Sequence, residues 1–210
     1  MPHTPYPSDV AFTPAVKAIQ ARKGSREGYA HVEQGAGWRT EVDEDLAAFL
    51  GNVDSFYLAT ATASGQPYIQ HRGGPKGFLK ILDRSTLAFA DYRGNRQYIT
   101  QGNLGENPKA YIFAIDYAHR RRVKIWGEAR VIEDDPALLT SLMPAGYKAR
   151  GEQVILFKIA AWDTNCPQHI PQKIDAADVA AALAVRDARI AELEAELAAK
   201  TAVSGGLRPG

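Results

Sequence analysis

The chain of 210 residues holds a single cysteine, Cys166, so no internal disulfide can staple the fold. No apolar run approaches the ~18 residues that suggest a membrane span, and Met1-Pro2-His3-Thr4-Pro5 lacks the basic start and apolar stretch of a secretory signal. The reading is a soluble, cytoplasmic protein. Charge of one sign is also missing: 25 Lys and Arg against 24 Asp and Glu leave a net +1. No global field therefore draws the chain to nucleic acid or an anionic membrane, and an anion site must come from local clustering. There is no Gly-rich dinucleotide loop after a first strand, and no paired Cys or His spacing that would hold a metal. Arg72-Gly73-Gly74-Pro75-Lys76-Gly77 lacks the Lys-Ser/Thr of a P-loop and also fits a bulge or turn between strands.

What is present divides into three parts. Residues 1–42 begin with a Pro-rich stretch, 1–11, expected as an extended arm. A short helix follows from Phe12 to Gly24, with Thr13 as cap and Pro14 at its first position. Residues 24–40 are rich in Gly and charge and read as loop. Residues 43–174 form the main domain. A helix starts near Asp43 and carries Leu46, Phe49 and Leu50 on one face. Seven short segments rich in β-branched and aromatic residues follow, at 55–63, 66–72, 78–82, 86–91, 110–116, 122–132 and 152–160. Residues 122–132 alternate Val123, Ile125, Gly127, Ala129 and Val131 against Arg122, Lys124, Trp126, Glu128 and Arg130. Asp135 and Pro136 open a short helix. Strands in this number with few helices between them argue for a mainly β domain with flanking helices, a six- to seven-stranded antiparallel barrel.

Residues 175–210 are different again. From Asp175 to about Lys200 the chain is dense in Ala, Glu and Leu, with Val179, Leu183, Arg186, Ile190, Leu193 and Leu197 spaced alternately by four and three. An amphipathic helix lying on its own domain or on a mate's fits this better than a coiled coil, which would be short. The last residues, 204–210, read as a disordered tail.

The most informative stretch runs from Phe89 to Asn103. An apolar strand ends at Asp91, and a Gly turn leads into a helix expected to begin near Asn95. Free N–H groups at a helix start, with Arg93 and Arg96 and with Arg72 from a neighbouring strand, make a phosphate seat. The same residues also fit a solvated turn with surface arginines, as the run Arg120-Arg121-Arg122 fits a solvated strand start.

The stretches Thr60-Ala61-Thr62, Arg72-Gly73-Gly74-Pro75 and Asn95-Arg96-Gln97, with Gly102-Asn103 and Glu106-Asn107-Pro108, resemble the FMN-binding core of the pyridoxamine 5′-phosphate oxidase-like split-barrel family. Asp163 to Gln172, reading Asp-Thr-Asn-Cys-Pro-Gln-His-Ile-Pro-Gln, resembles a flavin-nucleotide-binding branch of it, as does Gln20 to Arg26. The resemblance implies FMN as cofactor, with Gln70, His71, Arg72 and Gly73 along the ring and ribityl chain. It implies Asp91 and Tyr92 near the phosphate, Asn95, Arg96 and Gln97 in the gripping turn, and Asn103 near the end of its helix. Cys166, Pro167, Gln168, His169 and Ile170 would approach the ring from a second subunit, so the site implies a homodimer. Trp162 or Phe78 would line the ring slot. The family's usual Arg-Lys pair is Arg96-Gln97 here, one charge fewer. Pyridoxamine 5′-phosphate oxidase activity itself is not expected, because the chain continues from Ile174 into an Ala/Glu-rich helix instead of the family's substrate-binding tail. The implied function is an oxidoreductase acting on a small substrate. The alternative is a module that binds flavin, haem or F420 without turnover.

Overall fold

A computed structural model describes residues 6–164 and 167–205. It separates into two compact units, one of residues up to 116 together with 121–168, the other of 117–120 together with 169 onward.

The first unit is built on one seven-stranded antiparallel sheet: β1 (Ser55–Ala61), β2 (Pro67–Gly73), β3 (Lys80–Asp83), β4 (Thr86–Tyr92), β5 (Lys109–Asp116), β6 (Arg121–Ile132) and β7 (Gly151–Thr164). The spatial order is β2-β1-β5-β6-β7-β4-β3. Although β2 lies at one edge and β4 next to the other, Arg72 of β2 forms an ion pair with Asp91 of β4. The sheet therefore curls round far enough to bring its ends together, as a split barrel. Val123, Ile125, Gly127 and Ala129 of β6 all face the buried interior, as the alternation requires.

Inside, Phe56 stacks on Phe78 (5.5 Å between centroids) and meets Phe89 edge-on (5.2 Å). Leu58, Ile112, Ile125, Ile155 and Phe157 complete this core, each such side chain contributing about 1.5–3 kcal/mol by burial. The helix α3 (Glu44–Asn52) adds Leu46, Phe49 and Leu50 to it, capped by Asp43, whose carboxylate accepts from the Leu46 N–H at 2.9 Å. Ala88 and Ala90 of β4 face the other way, and their small size admits the helix α5 (Pro136–Leu142), which packs Leu138, Leu139 and Leu142 there. Trp162 is buried in the core, its indole N–H donating to the Glu41 carbonyl at 2.8 Å, and Phe78 is likewise interior, so neither ring faces a slot within this chain.

The segment before the barrel is more ordered than its composition suggests. Residues Pro7–Val10 form a 3-10 turn instead of an extended arm. The helix α1 (Pro14–Lys23) is capped by Thr13 and closed by Gly24 at φ 78°. Residues 24–40, expected as loop, contain the helix α2 (Arg26–Gln34). Its inner face is polar, which hides it from a hydrophobic reading. The buried Glu33 carboxylate pairs with Arg26, accepts from Ser8 Oγ at 3.1 Å and lies 3.6 Å from the Lys17 ammonium. Phe12 meets Trp38 at a tilt (4.9 Å between centroids) and Trp38 stacks on Trp126 (4.6 Å), joining this segment to β6.

Tyr111, on the outer face of β5, lies 5.0 Å from the Trp126 ring, and burial pushes its hydroxyl up from 10.0 to about 12. Between those values the unfolded chain releases a proton that the folded chain keeps. Stability should therefore be full below about pH 10 and fall as the pH rises towards 12. Urea midpoints at pH 9 and pH 11 should differ less in Tyr111→Phe than in the native chain; an equal drop in both would assign the loss to other groups.

In the second unit, Lys173 N–H donates to the Tyr117 carbonyl (3.3 Å) and Gln172 Nε2 to that of Ala118 (3.0 Å), while the Lys173 ammonium sits 4.1 Å from the Tyr117 ring centroid. The helix α6 then runs from Ala176 to Gly205, past the expected end at Lys200.

Candidate functional site

The side-chain period of two along β2 places Tyr68, Gln70 and Arg72 on one face and Ile69 and His71 on the other. The first three open onto a cleft that also takes in Asp91 and Tyr92 from β4, Asn95, Arg96, Gln97 and Tyr98 from the following turn, and Thr100 from the helix α4 (Ile99–Glu106). It is open to solvent on one side, with a cavity volume of about 50 Å³. His71 points away from it, its ring edge-on to Tyr57 at 5.7 Å.

Arg72 is the hub. One terminal nitrogen pairs with Asp91 and the other donates to Thr100 Oγ1 at 3.2 Å. Thr100 in turn donates to Gln70 Oε1 at 3.0 Å, and the second Asp91 oxygen accepts from Gln153 Nε2 at 2.9 Å. The guanidinium is thus held in a plane by β2, β4, β7 and α4 together. Its Nε is buried with no hydrogen-bond partner among the described residues. A buried charged donor left without a partner calls for an acceptor.

The turn before α4 differs from expectation. The helix starts at Ile99, four residues after Asn95, because Arg96 (φ 61°) and Tyr98 (φ 54°) adopt left-handed backbone that a right-handed helix cannot include. Asn95 Oδ1 accepts from the Gln97 N–H at 3.2 Å and fixes this turn. Two non-glycine residues held in that region are a cost of order 1 kcal/mol or more each, a feature concentrated at ligand clamps. Arg96 Nε donates to Tyr98 Oη at 2.9 Å, which raises the Arg96 pKa above its ordinary value; Tyr98 donates onward to Glu152 at 3.0 Å. The first-turn N–H groups at Ile99, Thr100 and Gln101 have no acceptor within α4. Burial raises the pKa of Tyr92 above its ordinary value.

Two arginines, Arg72 and Arg96, therefore meet two carboxylates, Asp91 and Glu152, across one cleft. The cleft is formally neutral, and its free donors, not excess charge, give it a preference for an anionic oxygen.

The other expected site residues lie elsewhere. Gly73 and Gly74 serve packing: a Cβ on Gly74 would lie 2.8 Å from Phe78 Cγ. Asn103 lies on the buried face of α4, where its amide donates to Thr60 Oγ1 at 3.0 Å and ties the helix to β1. Pro167 and Gln168 are exposed after β7 and line none of the described clefts, and Cys166 lies outside the described residues. His169, at φ 63°, and Ile170 belong to the second unit. Arg122 is not a freely solvated arginine, since its Nε is buried without a partner among the described residues. Thr100, Tyr98, Glu152 and Gln153 were not anticipated. Gln153 reaches the cleft because it pairs with Asp91 across β4 and β7, 62 positions apart, which no local pattern announces.

An antiparallel split barrel with a mostly polar cleft at the end of β4 defines the class. Residues 42–166 match the family described as pyridoxamine 5′-phosphate oxidase, and the chain belongs to that family. Among solved structures it is similar to HupZ of Group A Streptococcus (16% identity, covering 63% of this chain and 99% of that one, TM-score 0.49). It is also similar to an FMN-binding protein from Syntrophomonas wolfei subsp. wolfei (12%, 70% and 97%, TM-score 0.46) and to an F420 reductase (19%, 58% and 98%, TM-score 0.42). No curated protein matches the chain. No described helix is long and apolar enough to cross a membrane, and no described group of His, Cys, Asp and Glu could hold a metal ion.

Proposed function

We propose that the chain is an FMN-binding oxidoreductase working as a homodimer on a small substrate. The observation that carries this reading is the partnerless Arg72 Nε in the wall of a cleft that also presents Arg96 and the start of α4. A phosphate ester offers several acceptor oxygens to such a set, and arginine binds them in its own plane. The donor set fits the phosphate end of FMN. FMN bound there supplies the electron-transfer chemistry; this chain's part is to hold the phosphate, orient the ring and shield it from water.

The ring end argues for the second subunit. The cleft lining is mostly polar, with Tyr68, Tyr92, Tyr98 and Ile99 its apolar surface, whereas a large flat ring needs an apolar slot. Outside the cleft, the outer face of β1, β2 and β5 displays Tyr57, Ile69, Tyr111 and Phe113, with Ile69 64% exposed. An apolar face of this kind suits a copy of the chain, which would close the slot.

The test is an absorbance spectrum after incubation with FMN and desalting. Retained flavin bands support the reading, and a protein that emerges colourless overturns it. Arg96→Ala should weaken FMN affinity at least about tenfold, measured by quenching of flavin fluorescence. Unchanged affinity would place the phosphate elsewhere.

A further inference from the structure

We infer that α6 is a dimerisation helix that winds in parallel around α6 of a second copy of this chain. It spans 30 residues, about 45 Å of helix, and every described side chain on it is exposed. Within its own unit it has no strand or second helix to pack on. Yet Val179, Leu183, Ile190, Leu193 and Leu197 form one stripe, with Leu183 50% and Leu197 66% exposed. Placed on a heptad, Leu183, Ile190 and Leu197 occupy a positions, and Val179, Arg186, Leu193 and Lys200 occupy d positions.

The flanking charges choose both the occupant and its direction. In a parallel pair, each g residue faces the e residue five positions on in the other chain. Arg189 then meets Glu194 of the other copy, twice by symmetry, and the remaining pairs, Ala182 with Asp187 and Glu196 with Thr201, contain no repulsion. In an antiparallel pair with the same layers aligned, Leu183 opposes Leu193, Arg186 opposes Ile190 and Val179 opposes Leu197. That arrangement brings Arg189 against Arg189 and Asp187 against Asp187, two like-charge contacts. Arg189 now pairs with Glu192 on its own helix at 2.8 Å, an exposed contact that is readily exchanged.

Arg186 is the polar residue between Val179 and Leu197, and Lys200 takes the d position beyond them. In the parallel pair Arg186 faces Arg186 of the other chain, with Asp187 of each chain beside the other's guanidinium to offset that contact, and this polar layer fixes the register. Three heptads are short for a free coiled coil, but a second contact between chains already paired through their barrels is intramolecular. The strength of the association therefore rests on the homodimer proposed above; its direction and register do not.

The experiment places cysteines on the full-length chain in a Cys166→Ser background and reads covalent dimer under mild oxidation. Leu193→Cys, in the seam, should cross-link within minutes, and Val185→Cys, on the opposite face, should not. Sedimentation of the uncross-linked protein reads the barrel dimer separately. A dimeric mass with no preferential cross-linking at Leu193→Cys overturns the helix pairing and leaves the barrel dimer standing. A monomeric mass without cross-linking overturns both.

Discussion

Gly127→Ala is expected to leave little folded protein. Gly127 sits in β6 where the pairing with β7 slips by one residue: Trp126 opposes Ala161, Gly127 opposes Ile159, and Ala160 is the extra residue of a bulge. The bulge pushes the β7 backbone towards β6. A Cβ on Gly127 would lie 2.1 Å from the Lys158 carbonyl oxygen and 2.6 Å from Phe157 Cε1. The first neighbour is backbone in the longest strand of the barrel, and the second is a ring in the centre of the core, so neither can give way cheaply. Overpacking of this kind costs about 1–3 kcal/mol where side chains can yield. Where backbone must move the loss should exceed about 4 kcal/mol, most of the stability of a marginal domain. The comparison is Gly102→Ala in α4, where nothing lies within 4 Å. There the alanine should stabilise by up to about 1 kcal/mol through helix propensity. Soluble expression and urea midpoints of the two variants separate the cases. Equal stability would mean that β7 moves freely at the bulge.

That contrast shows what could be read from the chain alone. The seven strands, α1, α3, α5 and α6 follow from periodicity, caps and turn residues, because those signals are local. Thr13 caps α1 as expected, and α3 and α5 start at Asp43 and Asp135, where the sequence places them. The turn at Gly65, with φ 90°, closes the first hairpin. What escaped was set by distant partners. The helix α2 is stabilised through Glu33, whose partners Ser8, Lys17 and Arg26 look like ordinary surface residues in the sequence. The role of Gly127 depends on a bulge in a strand 30 residues away. In the cleft, Gln70, Arg72, Asp91, Tyr92, Asn95, Arg96 and Gln97 come together as the motif implies. His71 does not, because the alternation of β2 turns it to the opposite face. Glu152 and Gln153 enter only through the β4–β7 register. Glu152 matters, since it removes the positive excess that an Arg-rich turn suggests.

The second large effect concerns Arg72. Arg72→Ala should destabilise the chain by about 3 kcal/mol, because it strips the ion-pair partner from a carboxylate that remains buried. The Arg72 and Asp91 side chains are 12% and 11% exposed, and Gln153 alone would be left to hydrogen-bond Asp91. The double variant Arg72→Ala with Asp91→Ala removes both charges together. It should be more stable than Arg72→Ala alone, even though more of the native side-chain structure is gone, since no buried charge is left unpaired. A double variant no more stable than the single one would mean that solvent in the open cleft already satisfies Asp91. Ligand binding should separate from stability in the same pair of proteins. FMN needs the Arg72 donors and gains nothing from the loss of Asp91, so the double variant should regain stability without regaining FMN. If it regains both, Arg72 supports the cleft only by neutralising Asp91, and the phosphate is held by Arg96 and the start of α4. If it regains stability alone, the guanidinium is itself a ligand-binding group.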